Sequence, residues 1–270
     1  MKNKQLGYDK DDIANSPYAS FYNPDMAPLQ EQVAEAVMVG EVAFELMYPI
    51  EKAAQIQDEG YWPVENGFTR TPQGGADIFC LTKMPGVTPQ MWDWWFGWHG
   101  SDHMRYRLWH PKAHKSATWK DGQNELIHYI GRTSYIEEYL GSVCKKGAIT
   151  FVAPSTMGLD EKKLAERGEV AICARISLPK TPLKAGWLLH HIRPVPGGSE
   201  MRSRTWLGGA NVALGDNPGL IGKAVGVALA QLCRAIIPDP AAVMVHTSQE
   251  MSHLASFLPE LYQRFNGSGK

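Results

Sequence analysis

Hydrophobic and polar positions follow three successive patterns along the chain. The first ~25 residues are polar and rich in Tyr, Asn, Asp and Pro, which predicts an irregular arm ordered only against a partner surface. From Pro28 to Met47 the spacing is helical: Leu29, Val33, Ala36 and Val37 share a face, and Gly40 and Pro49 limit the run. From Gly67 onward strand patterns separated by turn residues take over. ADIFCLTKM (76–84) predicts a strand, and Thr88-Pro89 a helix start, with threonine as cap and proline in the first turn. MRYRLWH (104–110) alternates in period two, Tyr106 and Leu108 on one side and Arg105, Arg107 and Trp109 on the other, and reads as another strand. Further strands are predicted at 127–140, 147–153, 168–178, 184–194 and 200–208. Two helices close the chain. Asn217-Pro218 opens the first, apolar nearly all round up to Pro238 and so predicted to be buried. Asp239-Pro240 opens the second, expected to run from about Ala241 to Phe265.

Strands followed by helices predict an α+β domain, an antiparallel sheet with a long helix on one face. The change of period places the division between an N-terminal arm and helical segment at 1–66 and the main domain at 67–270. Composition adds exclusions. Across 270 residues, 44% hydrophobic and 20% charged, there is enough apolar material for a sizeable core. The formal net charge of -1, with no basic run, gives no footprint for nucleic acid or an anionic membrane. The segment Gly219 to Ile237 is interrupted by Lys223, Gln231 and Arg234, which suits a helix in protein rather than in lipid. The N-terminus lacks the apolar stretch of a secretory signal, and Cys80, Cys144, Cys173 and Cys233 form no CxxC pair; a cytoplasmic location is expected.

Candidate chemistry begins on the last helix. Its apolar stripe reads Val243, Leu254, Phe257 and Leu261, and His246 and Glu250 fall inside that stripe. A carboxylate facing a core must be paired, protonated or bound to a metal, and four residues is one helical turn, so both side chains can reach one ion. A simple buried His–Glu hydrogen bond is the commoner use of such a pair. Partners are available in His110 and His114 of HPKAH and in Glu137 and Glu138 of TSYIEEYLG. Strand alternation puts Glu138 with Ile136 and Leu140 and Glu137 with Tyr135 and Tyr139, so Glu138 is the inward acid. The residues alone do not choose between the two histidines. His190 and His191 point to opposite faces of a strand, one of them toward any cavity, and His253 is a spare candidate. Met91, Trp92, Trp95, Phe96 and Trp98 crowd one short helix; they cannot all face one core, so some should line a pocket or an interface.

WDWWFGWHGSDHMRYRLWHPKAH, TSYIEEYLG and HTSQEMSHLASFLPELY resemble, in order and spacing, the diacetylphloroglucinol and phloretin hydrolase family, over roughly residues 80 to 265. The resemblance implies hydrolysis of the carbon–carbon bond between an acyl group and an electron-rich phenolic ring, a retro-Claisen reaction using zinc held by two histidines and two glutamates. It implies a small N-terminal helical part on a Bet v 1-like helix-grip domain, usually as a homodimer. Carried over by motif, the ligands are His114 rather than His110, Glu138, His246 and Glu250. Tyr106 matches the family's substrate-binding tyrosine and, with Glu138, is the expected catalytic pair; His99, Trp95 and Trp206 are expected to complete the substrate site. The chain departs from the family in carrying Ala117 where an asparagine binds substrate, and Thr205 and Trp206 where a second substrate tyrosine belongs. The same ligands also suit iron(II) and oxygen-dependent diketone cleavage, and a tryptophan-lined cavity also suits simple carriage of an apolar aromatic ligand.

Overall fold

The computed structural model describes residues 12, 15–124, 127–215, 219–234 and 237–267. Its centre is one antiparallel sheet. The strands are β1 (Gly67–Arg70), β2 (Gly75–Pro85), β3 (His114–Trp119), β4 (Thr133–Leu140), β5 (Val143–Val152), β6 (Val170–Ser177), β7 (Leu183–Val195), β8 (Gly198–Gly208) and β9 (Ala213–Leu214). They lie in the order β1-β2-β8-β7-β6-β5-β4-β3, and the short β9 pairs with β7. The helices are α1 (Glu31–Val39), α2 (Pro89–Trp98), α3 (His103–Trp109), α4 (Glu161–Arg167), α5 (Leu220–Cys233), α6 (Pro240–Ala255) and α7 (Leu258–Phe265). The protein is thus of the α+β class. No helix among the described residues is long and apolar enough to cross a membrane.

Alternation along the strands divides the core. Ile172, Ala174, Ile192 and Met201 face α6 and the aromatic helix α2, packing with Leu254, Leu258 and Leu261. Phe79, Cys173, Leu189 and Trp206 face the other way and are covered by Met47, Ala53, Ile56 and Trp62 from the N-terminal segment. That cover is fastened by charge: Glu65 accepts from Arg202 at 2.6 and 3.0 Å and also from Arg204, both guanidiniums being buried. Burial alone would raise the Glu65 pKa, but the two cations hold it below the ordinary carboxylate value. Around α1, Val33 packs with Phe68 and Ile78 as the helical spacing predicted, although the helix ends at Val39 and Gly40 follows with φ +90°. The described part of the N-terminal arm finds its surface within the chain, Tyr18 against Trp98 and Phe265, and Phe21 against Phe257.

Four expectations change. Residues 104–110 lie in helix α3, because the Asp102 side chain caps it by accepting from the Met104 amide, and Arg105, Tyr106, Leu108 and Trp109 are all buried, at helical spacing. The apparent alternation failed because Arg105 is interior: it donates to the Tyr18 hydroxyl and the Trp98 carbonyl at 2.7 and 2.9 Å. Strand β3 carried no period-two signal and was not anticipated. The final helix is two helices, broken at Phe257, since Pro259 cannot sit in the interior of a continuous helix. Helix α5 is not buried all round: Ala224, Val225 and Ala228 are exposed, while Gly226 and Ala230 are buried. Its expected opening at Asn217-Pro218 lies outside the described residues.

Candidate metal centre and substrate cavity

Between the inner face of the sheet and α6 lies a cavity of about 390 Å³, lined by the aromatic rings of Phe96, His99, Tyr106 and Trp109 and by Ile136, Ile149, Leu188 and Leu207. Four candidate ligands converge on its side. The Nε2 atoms of His114 and His246 are 3.3 Å apart; Glu250 Oε2 is 3.2 Å from the first and 3.6 Å from the second. Glu138 Oε2 is 3.6 Å from His114 Nε2 and 3.8 Å from His246 Nε2. A tetrahedral zinc shell with N and O ligands at about 2.0–2.1 Å has ligand–ligand edges of about 3.3 Å, so these separations fit such an ion. His114, Glu138 and His246 form a group able to hold a metal.

Each ligand is placed by a local device. His246 and Glu250 are one turn apart on α6, as the stripe predicted. Glu138 enters by strand alternation, together with Ser134, Ile136 and Leu140, all on the cavity wall. His114 needs more. Ser116 pairs with Glu137 on the outer face, and simple alternation would set His114 outward too, but a bulge makes Lys115 the extra residue and places His114 opposite Glu138. The displaced Lys115 pairs with Glu137 outside. His114 Nδ1 then donates to the Tyr106 carbonyl at 2.9 Å, which fixes the tautomer and turns the Nε2 lone pair toward the cluster.

The cluster's electrostatics call for a positive charge. Two imidazole nitrogens and two carboxylates meet in a buried space, and either a cation or a shared proton can neutralise them. Burial pushes Glu250 up to about 7. Burial would lower His246, but the Glu250 and Glu138 carboxylates hold its pKa above the ordinary histidine value. Burial drives His114 well below that value.

Tyr106 lies flat on His114, ring centroids 3.8 Å apart and planes 2° from parallel, and its hydroxyl donates to Glu138. Burial, reinforced by Glu138, raises its pKa well above the ordinary phenol value, so it stays a neutral donor. His99 faces the cavity, held by Nδ1 on the Trp95 carbonyl at 2.9 Å, and its ring continues the stack between Trp95 and Tyr106. Gly100 is required beside it, because a Cβ there would lie 2.5 Å from the Trp119 indole.

Two of the residues expected at the substrate site are elsewhere. Trp95 is fully buried behind His99 and does not line the cavity. Trp206 faces the opposite side of the sheet, its indole donating to the Tyr48 carbonyl at 2.9 Å, because Thr205 and Leu207 take the inward positions of β8. In the aromatic block only Phe96 reaches the cavity; Trp92, Trp95 and Trp98 are core, since α2 is covered on several sides by sheet, arm and α7. Of the histidines weighed as spares, His190 lines the cavity and binds Ser203 at 2.8 Å, His191 pairs outward with Glu169 at 2.9 Å, and His253 accepts from the Ala27 amide. His110 stands outside the cluster, stacked on the far face of His246 at 4.8 Å. Thr205, which stands with Trp206 where the family's second substrate tyrosine belongs, lines the cavity, and so does Lys145, whose inward aim only strand register reveals.

Buried neutral histidines make the protein acid-sensitive. Burial lowers His99 to about 4 and His190 to about 3. A lowered histidine pKa contributes stability that is present above about 6.5 and lost as pH falls through that value. At pH 5 the two rings together cost up to about 4 kcal/mol. Glu250 and Asp77, both raised by burial to about 7, act in the opposite sense and offset part of this, while His110 and His253, lowered by burial to about 2 and about 4, add to it. Urea unfolding is therefore expected to show lower stability at pH 5 than at pH 7; an equal or higher midpoint at pH 5 contradicts the assignment of these rings as neutral.

A 2,4-diacetylphloroglucinol hydrolase from a Pseudomonas species is 30% identical over 94% of this chain and 90% of its own length. Phloretin hydrolase from Eubacterium ramulus is 29% identical over 91% of this chain and 89% of its own. Among solved structures, that of Ara h 8.0201 aligns with 67% of this chain and 97% of its own at 13% identity and a TM-score of 0.32, too slight a likeness to bear on the fold. Residues 47–263 match the DAPG hydrolase PhiG domain, and the chain belongs to that family.

Proposed function

We propose that this protein is a zinc-dependent hydrolase that cleaves the carbon–carbon bond between an acyl group and a phloroglucinol-like ring. The observation that carries the reading is the meeting of His114, Glu138, His246 and Glu250 on the wall of an apolar cavity, beside a tyrosine hydroxyl. Zinc bound there supplies Lewis-acid polarisation of the acyl carbonyl and brings the pKa of water toward neutrality. Glu138 orients the Tyr106 hydroxyl and offers a carboxylate to take a proton from water. Tyr106 donates to the oxygen on which charge collects as the acyl carbon becomes tetrahedral. Phe96, His99 and Trp109 exclude water from the part of the cavity they line, and Thr205 is a polar group available to orient the ring.

The long α6 against the inner sheet face, with a cavity between them, supports a helix-grip fold of the Bet v 1 type. We read the division at residue 66 as that between an addition and the main domain: among the described residues, Met47, Ile56 and Trp62 cover the outer sheet face, and Tyr18 and Phe21 pack beside Trp98 and Phe257. Exposed Met38 and Val39, side by side on α1, support a homodimer. Free thiols at Cys80, Cys144 and Cys173 suit a cytoplasmic location.

Anaerobic assay with 2,4-diacetylphloroglucinol tests the reaction and separates hydrolysis from oxygen-dependent cleavage. Within it, Tyr106→Phe is expected to keep its metal and fold while turnover falls at least about tenfold, and by as much as about 10²–10³ if the donor acts mainly on the transition state. Unchanged kinetics in a metal-loaded Phe variant place Tyr106 outside the chemistry.

A further inference from the structure

The cavity wall carries a cationic group that the reaction as described leaves unused. Across the sheet edge, a single row of paired residues runs from His114 on β3 to Glu138 on β4 and Lys145 on β5. Directly opposed residues of an antiparallel pair project to the same face, and neighbouring strands are about 4.7–4.9 Å apart. Lys145 is therefore one rung beyond a candidate ligand, on the same side, and it lines the cavity while remaining half-buried. The next residue, Lys146, also borders the cavity, but its ammonium is turned to Glu137 on the outer face, at 3.6 Å. The inward wall carries Ile136, Ile149 and Ile176, and the Glu138 carboxylate belongs to the residue opposite Lys145 across the strands. A strongly hydrated ammonium placed beside such a wall suits an anionic atom of a ligand whose body is apolar.

We propose that Lys145 binds, as an oxyanion, the substrate's ring oxygen ortho or para to the acyl-bearing carbon. This rests on the hydrolase reading above. In that reaction the acyl-bearing ring carbon is first protonated, giving the keto form of the ring. Hydroxide derived from water then bonds to the acyl carbon, and the acyl–ring bond breaks. Its electron pair passes into the ring and comes to rest as negative charge on the former ketone oxygen. The products are a carboxylic acid and a phenolate, which a proton returns to the phenol, so one water is consumed overall. Charge thus appears on a ring oxygen both in the ionised substrate and in the departing ring. A long, flexible cationic side chain can follow that oxygen between the two.

The test uses the zinc-loaded full chain and monoacetylphloroglucinol, the phenol left when 2,4-diacetylphloroglucinol loses one acetyl group. Phenolates absorb at longer wavelength than phenols, so the spectrum of the bound ligand reads its ionisation, held about one unit below its solution pKa. The wild type and Lys145→Arg are expected to bind it as phenolate. In Lys145→Gln the phenolate-to-phenol ratio is expected to fall at least about tenfold, with kcat/KM for 2,4-diacetylphloroglucinol falling at least about tenfold and zinc content unchanged. A Lys145→Gln spectrum like that of the wild type overturns the proposal while leaving the hydrolase reading intact. Equal losses in the Arg and Gln variants overturn it as well, since a packing role does not depend on charge. Absence of wild-type turnover on acylphenols overturns the reaction, and this proposal with it.

Discussion

Replacing His246 and Glu250 together by alanine is expected to lower zinc from about one ion per chain to none, and to abolish turnover with it. Two of four candidate ligand atoms disappear, and His114 and Glu138 alone offer a divalent ion half a shell. The variant should still fold. α6 is anchored by Met244, Met251 and Leu254, all fully buried, and the double change removes two groups whose burial is costly without a counter-charge. Metal analysis after dialysis, together with far-UV circular dichroism, reads both parts. Full metal content in the double variant removes α6 from the centre altogether.

The second large effect separates neighbours that look alike in sequence. Glu138→Gln is expected to cost turnover at least about 10³-fold, because it removes an anionic ligand and leaves the Tyr106 hydroxyl only a neutral amide oxygen in place of a carboxylate. Glu137→Gln should leave activity within about twofold, since Glu137 sits on the outer face with Lys115 and Lys146, and exposed ion pairs contribute little. His114→Ala should abolish activity, and His110→Ala should cost far less, removing only the ring stacked behind His246. Steady-state kinetics on the four variants decide the matter. A reversed pattern means that β4 is offset by one residue from the register described.

Particular residues show what the chain discloses by itself. Glu138 was legible because β4 is regular, so period two assigns its faces without knowledge of any partner strand. His246 and Glu250 were legible because a helix fixes its own geometry over one turn. His114 could be chosen over His110 only by likeness to a family, since its inward aim depends on a bulge, and a bulge is a relation between two strands. Trp206 was misplaced for the same reason: its side of β8 is set by pairing with β2 and β7. Lys145 acquires meaning only from the residue opposite it. Helix α3 is hidden in the sequence because alternation in a seven-residue segment is a weak signal, and the stronger one is Asp102, the residue that caps the helix.

The bulge that turns His114 inward has a second consequence, for solubility. β3 ends the strand order, so its outer backbone groups form an edge on which a strand from another chain could assemble. It is six residues long, its ladder is interrupted between His114 and Ser116, and the residue displaced by that interruption is a lysine. Shortness, irregular register and a charge on the edge each oppose strand addition. Removing Lys115 to regularise β3 would therefore do two kinds of damage: it would swing a candidate ligand out of the cavity and leave the sheet with a smoother template for aggregation.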